Sequence, residues 1–415
     1  MEGRAAGGSG IATVPASQWS VIEYRGREGL ARLESDWRRL YCEMPDPSLR
    51  HSFEAFAVYV DTMCPSPERL RCLALGDGTR VRAILPVEER SDRALKIPLR
   101  VWGLPSRESW SLTDAIGPED DARRALLPAA IDFLTRQPDR PSLLVLGPTP
   151  EASALWEGLR DLDPGRYYTF IERLVDVVPT DTPAEGILRR MSRNARYQVR
   201  KSEAAFASLA DAYFVEAGQP AELAEEFERF LQVEASGWKG DRGSAIKSRP
   251  ELLAFYRGLV AAMTYDGRCE VQALHAEGRC LAAHLVAFTG RQAAFLKIGY
   301  DETYARVAPG IVVTHKGLRS CCDDPDVGVV NMMNDALWHR TWRPRRDRSS
   351  QGVRGPAPSV RTGIAVGDAP QVRAGATHGA LAQRAPGDGE VPRVGATHTT
   401  QQACCRGPAP VVPGM

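Results

Sequence analysis

A short basic loop between an apolar strand and a helix start is the clearest candidate for chemistry in this sequence. The apolar run FLKIG ends at Gly299, and Arg306 and Pro309-Gly310 precede an apolar stretch with helical spacing. A helix that begins at Gly310 presents unpaired backbone N–H groups and the positive end of its dipole. Gly310 lets a ligand approach the backbone, Pro309 fixes φ, and Arg306 adds a mobile cation. The loop therefore suits a pyrophosphate-like anion, the alternative being an ordinary strand-to-helix turn with a surface arginine.

Four polar residues near apolar strands are candidates for proton transfer: Tyr300, Asp301, His284 and Asp335. Tyr300 and Asp301 lie at the tip of a predicted strand. Asp301 could accept a proton from an incoming amine, or could cap the turn over 302–306. His284 lies in the apolar run LAAHLVAF, where a histidine is either a base or a hydrogen-bonded core side chain. Asp335 follows the last predicted strand and is the best single carboxylate candidate for substrate binding or for base chemistry.

Two other segments are candidates for substrate binding. Trp238-Lys239 places an aromatic ring beside a cation, which suits sugar stacking or phosphate pairing; alternatively, the ring covers the edge of the core and the lysine is solvated. A helix predicted over 185–206 aligns four arginines in one stripe, among them Arg196 (Arg189, Arg193, Arg196 and Arg200). This stripe is either a solvated face or a basic rim that attracts the phosphates of a ligand or an anionic glycan.

The elements that must position these residues form two successive units of similar order. In the first half the pattern predicts a strand over 19–24, a hairpin over 69–90 and strands near 99–104 and over 142–147, with helices over 30–44, 52–63 and 122–137. In the second half it predicts strands over 167–178, 212–217, 269–301 and 327–333, with helices over 185–206, 221–236, 250–263 and 310–321. This order predicts an α/β fold with a mixed sheet, present twice in the chain.

The composition is that of a soluble globular protein. Of 415 residues, 43% are hydrophobic and 25% charged, and the formal net charge is +1. This charge balance argues against nucleic acid as a partner, and no apolar run approaches the roughly 20 residues that cross a bilayer. The nine cysteines lack the spacing of a metal site, so we expect reduced thiols, no metal and a cytoplasmic location. The oligomeric state is not predicted.

Both ends of the chain differ from the middle. Residues 1–17 are small and polar and are expected to be flexible. Residues 347–415 contain no Phe, Trp or Tyr and are rich in Gly, Pro, Ala and Arg, so we expect a disordered tail over 346–415. The tail is either a flexible basic extension or the product of a frameshift. The two predicted domains are therefore 18–165 and 166–345.

Several motifs in the second half resemble the CelD/BcsL-type acetyltransferases of the GNAT superfamily. In order they are EASGWKGDRGSAI (234–246), ELLAFYRGLV (251–260), CLAAHLVAFTGRQAAFLKIGYDETYARVAPG (280–310) and VVNMMNDALWHRTW (329–342). Weaker similarity covers 19–233. Four residues depart from the usual pattern of that family: Ala308 replaces Ser, Asn331 replaces Asp, Asn334 replaces Gly and His339 replaces Lys.

The resemblance implies an acyltransferase built from two tandem GNAT-like acyl-CoA N-acyltransferase domains, as in the Fem-type transferases. The C-terminal domain would hold acetyl-CoA or another acyl-CoA, through six residues of the strand, loop and helix start (Lys297, Gly299, Arg306, Pro309, Gly310 and Ile311). The acceptor would be an amine or a hydroxyl, with cellulose or another surface polysaccharide as one candidate pathway. Two alternatives stay open: a Fem-like aminoacyl transferase that uses charged tRNA, and a degenerate, non-catalytic binding protein.

Overall fold

The computed structural model describes residues 19–90, 100–107, 110–162, 167–264 and 268–354. The chain forms two compact units, and the main boundary between them lies between Glu172 and Arg173, a few residues after the boundary predicted from sequence. The residues from Ser349 onward in the last strand belong to the first unit.

The first unit alternates strands and helices from Ser20 to Arg160. Its strands are β1 (Ser20–Arg25), β2 (Arg71–Gly76), β3 (Val81–Arg90), β4 (Val101–Gly103), β5 (Ser106–Arg107), β6 (Trp110–Ser111) and β7 (Leu143–Pro150). Its helices are α1 (Gly26–Glu43), α2 (Phe53–Thr62), α3 (Asp121–Thr135) and α4 (Ala154–Arg160). An apolar stripe of α1 is buried (Leu30, Leu33, Trp37 and Leu40), and Trp37 stacks on Phe56 of α2 at 4.7 Å between ring centroids.

The second unit begins within strand β8 (Tyr167–Pro179). Its other strands are β9 (Tyr213–Ala217), β10 (Cys269–Ala276), β11 (Arg279–Thr289), β12 (Gln292–Tyr300) and β13 (Val329–Asn331), and the chain continues into β14 (Arg345–Arg354). Its helices are α5 (Ala184–Arg190), α6 (Arg193–Ala207), α7 (Pro220–Ala235), α8 (Trp238–Asp241), α9 (Pro250–Thr264) and α10 (Pro309–Asp323). The 3₁₀ helix Glu302–Val307 directly precedes α10. The 3₁₀ helix Leu337–Trp342 follows β13.

The two units share one strand topology. In the first, the order is β1-β2-β3-β4-β7-β14, and only the β4–β7 pair is parallel. In the second, the order is β9-β10-β11-β12-β13-β8, and only the β12–β13 pair is parallel. Helices α1 and α2 join the first pair of strands in the first unit, and α7, α8 and α9 join the first pair in the second. In each unit one α-helix, α3 or α10, lies between the two parallel strands. The predicted mixed α/β fold with a duplicated order is confirmed.

Three features differ from the sequence prediction. The helix predicted over 185–206 is broken, because Met191 is extended and the Ser192 hydroxyl caps α6 by accepting from the Ala195 N–H at 3.2 Å. Helix α4 and the short β5–β6 pair were not predicted. Residues 346–354, assigned to the tail, form most of β14, since a strand can join β7 through backbone hydrogen bonds without an apolar pattern.

The ends of the chain, 1–18 and 355–415, lie outside the described residues, so the flexible N-terminus and the rest of the tail stay predictions. Among the helices that are described, none combines the length and the hydropathy that a membrane span requires.

Candidate functional site

Strands β12 and β13 separate after three residue pairs. Gln292 to Ala294 pair with Val329 to Asn331, and the chain after Asn331 then follows β8 instead. The Met332 N–H donates to Asp176 O, and the Asp176 N–H donates to Asn334 O, both at 2.9 Å. In the described structure the rest of β12 therefore pairs only with β11. Its other edge offers backbone groups to a ligand.

A β-bulge lies where β12 loses its second partner. Lys297 pairs with Leu285 and Phe295 pairs with Val286, so Leu296 is the extra residue. A bulge turns backbone groups out of the regular ladder, and bulges are common next to active sites. The bulge thus lies at Leu296, three residues before Gly299.

Gly299 serves a different purpose, the close approach of α7 to β12. A Cβ atom at Gly299 would lie 2.6 Å from the Cα of Glu234. The Lys239 ammonium, just after α7, donates to the Ile298 carbonyl at 2.6 Å and lies 3.3 Å from a Glu234 carboxylate oxygen. Lys239 therefore bonds to β12 and to Glu234 and is not the solvated lysine of the alternative interpretation, while its role in substrate binding stays a prediction. The Trp238 side chain lies outside the described atoms.

Helix α10 begins without a side-chain cap. Ala308 precedes it in the left-handed region, at φ 44° and ψ 59°, and Pro309 occupies the first turn. In a helix of 15 residues the uncapped N-terminus carries the positive end of a full dipole. Gly310 is half-buried, and a Cβ there would touch the Tyr300 ring at an ordinary 3.5 Å.

The exposed Arg306 stands in the 3₁₀ turn just before α10 and makes no ion pair with any described carboxylate. Tyr300, 38% exposed, lies beside Gly310, and burial together with Glu302 raises its pKa. Ile311 packs partly into the core below the helix. The structure thus brings five predicted residues together around one helix start (Tyr300, Arg306, Pro309, Gly310 and Ile311).

Lys297 faces away from this cluster. Its ammonium lies 5.7 Å from the centre of the Tyr256 ring in α9. Its cross-strand partner Leu285 alternates with His284 and Val286, which face α10, so Lys297 projects from the opposite side of the sheet. A role for Lys297 in binding an anion at α10 is not supported by this placement.

Asp301 caps the turn that leads to α10. Its Oδ1 accepts from the Thr303 N–H at 2.9 Å and from the Thr303 hydroxyl at 2.6 Å. Of the two interpretations of Asp301, base or cap, the geometry shows the capping contacts. A carboxylate held in this way fixes the conformation of the loop.

His284 is buried beneath α10. Its Nε2 lies 3.3 Å from the Thr314 hydroxyl, which donates to the Gly310 carbonyl at 2.8 Å. His284 Nε2 therefore carries the hydrogen, and Nδ1 is an acceptor with no hydrogen-bond partner among the described residues. Burial, with the charges of His339 and Lys239, lowers the pKa of His284 to about 3, so the ring is a neutral acceptor and a poor base.

Asp335 is exposed in the segment between β13 and the 337–342 turn. Four residues later, the buried His339 places Nδ1 at 3.1 Å from Oδ2 of Asp176 in β8. Arg346 Nε lies 3.3 Å from the other oxygen of Asp176. Sequence reasoning recorded His339 only as a departure from a family pattern and missed Asp176, which lies 163 residues away.

Arg196 lies far from the start of α10. Helix α6 runs antiparallel to α10, because Phe206 packs with Val312 and Val313 while Glu203 bonds to His315 at 2.8 Å. By this alignment Arg196 is level with the end of α10, about 18 Å along the helix from Gly310 at 1.5 Å per residue. The basic stripe is also divided, since Arg189 belongs to α5. The stripe therefore does not border the start of α10, and the binding of an anionic glycan by it stays a prediction.

Comparisons with known proteins agree with this topology. Residues 193–336 match the profile of the acetyltransferase (GNAT) domain family. The matched residues all lie in the second unit, which is therefore similar to a GNAT acetyltransferase domain. The matched segment includes β12, the basic loop, α10 and β13. A comparison with curated proteins gave no significant match.

Solved structures of the same fold cover most of the chain. FemX superposes with a TM-score of 0.54 at 11% identity, over 77% of this chain and 95% of that one. The C-terminal domain of a putative lysylphosphatidylglycerol synthetase from Agrobacterium fabrum gives 0.51 at 10%, over 78% and 92%. A conserved protein of unknown function from Bacteroides thetaiotaomicron gives 0.53 at 10%, over 79% and 97%. Identities this low show a shared fold and nothing finer.

Proposed function

We propose that the protein transfers an acyl group from acyl-CoA to an amine or hydroxyl acceptor, with the donor bound by the second unit. The observation that carries this proposal is the uncapped start of α10 beside the open edge of β12. The GNAT match over residues 193–336 supports the same assignment.

The donor would lie along the β12 edge. The pyrophosphate suits the first turn of α10, where the helix dipole and the exposed Arg306 favour an anion. The pantetheine arm would then extend along the backbone of β12 toward the bulge at Leu296. Backbone N–H groups turned out at a bulge can stabilise the oxyanion that forms when a nucleophile attacks the thioester.

The acceptor would approach from the segment after β13. The exposed Asp335 could bind an ammonium or a hydroxyl there, and Lys239 of α8 contacts the Ile298 carbonyl of β12 from the α7 side. We retain a surface polysaccharide precursor, suggested by the resemblance to CelD/BcsL-type proteins, as the substrate class to test first.

Calorimetric titration with acetyl-CoA and longer acyl-CoAs tests the donor site. Arg306→Ala should weaken binding by about 1–2 kcal/mol, the value of one charge-assisted contact. Arg200→Ala, which removes an exposed arginine of α6, is the matched control and should leave affinity unchanged. Absence of binding by any acyl-CoA, or equal affinities for the two variants, would refute the proposal.

A further inference from the structure

A buried histidine–carboxylate pair lies next to the opening between β12 and β13. Asp176 is fully buried and His339 is 2% exposed, with the Nδ1–Oδ2 distance at 3.1 Å. Arg346 contacts the second oxygen of Asp176 at 3.3 Å and balances its charge. The Asp176 backbone bonds to Met332 and Asn334, so the strand that carries the carboxylate also fixes the segment that leads to His339.

This contact determines the tautomer of His339. A carboxylate can only accept, so the Nδ1 atom of His339 carries the hydrogen and donates it to Asp176. In the neutral ring the lone pair then lies on Nε2. The pair has the arrangement of an oriented base, whereas His284 has its hydrogen on Nε2 and its lone pair buried.

The buried His339 ring is separated from solvent by the side chain of Trp338. It packs edge-on against Trp338, with centroids 4.2 Å apart and planes at 78°, and Trp338 is 43% exposed. Asp335 lies exposed on the same segment. An acceptor that stacks on Trp338 and pairs with Asp335 would therefore bring its nucleophile next to the imidazole.

The charged groups around His339 act in opposite directions. Burial lowers its pKa, while the carboxylates of Asp176 and Asp335 raise it. Arg346, beside Asp176, and His284, across the opening, add positive charge when protonated. The net direction is downward, so the ring is neutral and able to accept a proton near neutral pH.

We propose that His339 is the proton acceptor for the attacking nucleophile and that Asp176 is its positioning residue. This rests on the proposed acyl transfer. The amine nitrogen or hydroxyl oxygen bonds to the thioester carbon, its proton passes to His339 Nε2, and the carbon–sulfur bond breaks. The thiolate of CoA then takes the proton from His339, so the products are the acylated acceptor and CoA thiol.

Release of CoA thiol from acetyl-CoA, with water and with glucosamine as acceptors, tests the roles of both residues. His339→Gln and Asp176→Asn should each lower kcat by about 100-fold, the scale of lost general-base catalysis. The KM and Kd for acetyl-CoA should stay within about twofold of wild type, because neither residue contacts the donor phosphates. In Asp176→Asn the acid limb of the kcat–pH profile should also move.

The matched control is His275→Gln, which breaks a buried pair of the same kind elsewhere in the unit. His275 Nε2 lies 2.9 Å from a Glu226 oxygen, between β10 and α7. It should lower Tm without lowering kcat. If His339→Gln and Asp176→Asn reduce kcat no more than His275→Gln does, or leave the pH profile unmoved, the pair is structural and the inference is wrong.

Histidine ring ¹H–¹⁵N spectra give a test that needs no turnover. The chain has seven histidines, so the signal missing in His339→Gln identifies this ring. It should show the Nδ1–H tautomer, change in Asp176→Asn, and shift when acetyl-CoA is added. A signal that acetyl-CoA leaves unchanged, in protein that binds acetyl-CoA, would overturn the inference while the proposed function stands. Failure of acetyl-CoA to bind at all would instead remove the proposed function.

Discussion

The two units place a helix after the same central strand but begin that helix differently. In the first unit the Asp120 carboxylate caps α3, accepting from the Ala122 and Arg123 N–H groups at 3.0 and 3.2 Å. In the second unit no side chain caps α10, and Ala308 takes its place in a left-handed conformation. The first unit thus supplies its own anion at the position where the second unit has none.

The strands before these helices also differ in how far their backbone groups are bonded by the protein itself. Strand β4 has three residues and leads into the β5–β6 pair, where Ser106 N–H and Arg107 bond to buried Glu88 at 3.3 and 3.1 Å. Tyr59 donates to the other Glu88 oxygen at 2.7 Å. Strand β12 instead continues for six residues beyond its last pair with β13. With the same strand topology, side chains of the first unit therefore bond to the backbone that follows β4, whereas one backbone edge of β12 in the second unit stays open.

The largest expected effect comes from placing a carboxylate before α10, as Asp120 stands before α3 in the first unit. Ala308→Asp places a carboxylate at the start of α10 and should weaken acyl-CoA binding by about 3 kcal/mol, since like charges brought together cost several kcal/mol. Ala308→Asn has nearly the same shape without the charge and tolerates a positive φ. The Ala308→Asn variant should bind acyl-CoA within a few-fold of the wild-type affinity. Equal affinities of the Asp and Asn variants would show that an anion at this position does not matter, contrary to the contrast drawn between the two units.

A second pair of variants compares close packing in the two units. A Cβ would lie 2.6 Å from backbone atoms at both Gly299, facing Glu234, and Gly29, facing Tyr24. Changing either glycine to Ala should cost about 1–3 kcal/mol of unfolding free energy through overpacking. Only Gly299→Ala should also weaken acyl-CoA binding, as measured by calorimetry. Loss of binding in Gly29→Ala at unchanged folding would show that the first unit contributes to the site.

Each unit also buries one histidine whose pKa is about 3, His51 in the first and His284 in the second. Burial is the main cause for both. Because the folded pKa lies below the ordinary 6.5, stability is complete above about pH 6.5 and falls as the pH decreases toward 3. Between pH 6.5 and 5 each ring should cost about 2 kcal/mol.

Scanning calorimetry at pH 7 and pH 5 measures this cost for each unit. His51→Gln should reduce the acid sensitivity of the first unit, and His284→Gln that of the second. If His284→Gln leaves acid sensitivity unchanged, the ring is charged or solvated in the folded protein, and its description as a neutral acceptor is wrong.

The smallest effect is expected from removing the cap of α3. Asp120→Ala should lower the unfolding free energy by about 1 kcal/mol, the usual value of an N-cap, and should leave acyl-CoA affinity unchanged. Chemical denaturation and titration of the same preparation measure both quantities. A gain of a second acyl-CoA site in this variant would show that Asp120 blocks a site that the first unit otherwise retains.

Local sequence patterns predicted the features that depend on neighbouring residues. The strand, basic loop and helix from Phe295 onward follow from apolar spacing and from Pro309-Gly310, and the duplicated α/β order follows from hydrophobic periodicity. The capping role of Asp301 was one of two local alternatives, and only the loop geometry distinguishes them.

Features that depend on distant parts of the chain could not be predicted in this way. Asp176 and His339 meet because β13 leaves β12 and follows β8, a consequence of sheet topology. The distance of Arg196 from the start of α10 could not be predicted, because it depends on the antiparallel packing of α6 on α10. The break at Ser192 was missed because helical periodicity continues on both sides of it.

The number of acyl-CoA molecules bound by one chain tests the central claim most directly. Equilibrium dialysis with radiolabelled acetyl-CoA should give one molecule per chain in the wild-type protein and none detectable in Ala308→Asp at the same concentration. Two molecules per chain, or one that persists in Ala308→Asp, would contradict the assignment of the donor site to α10.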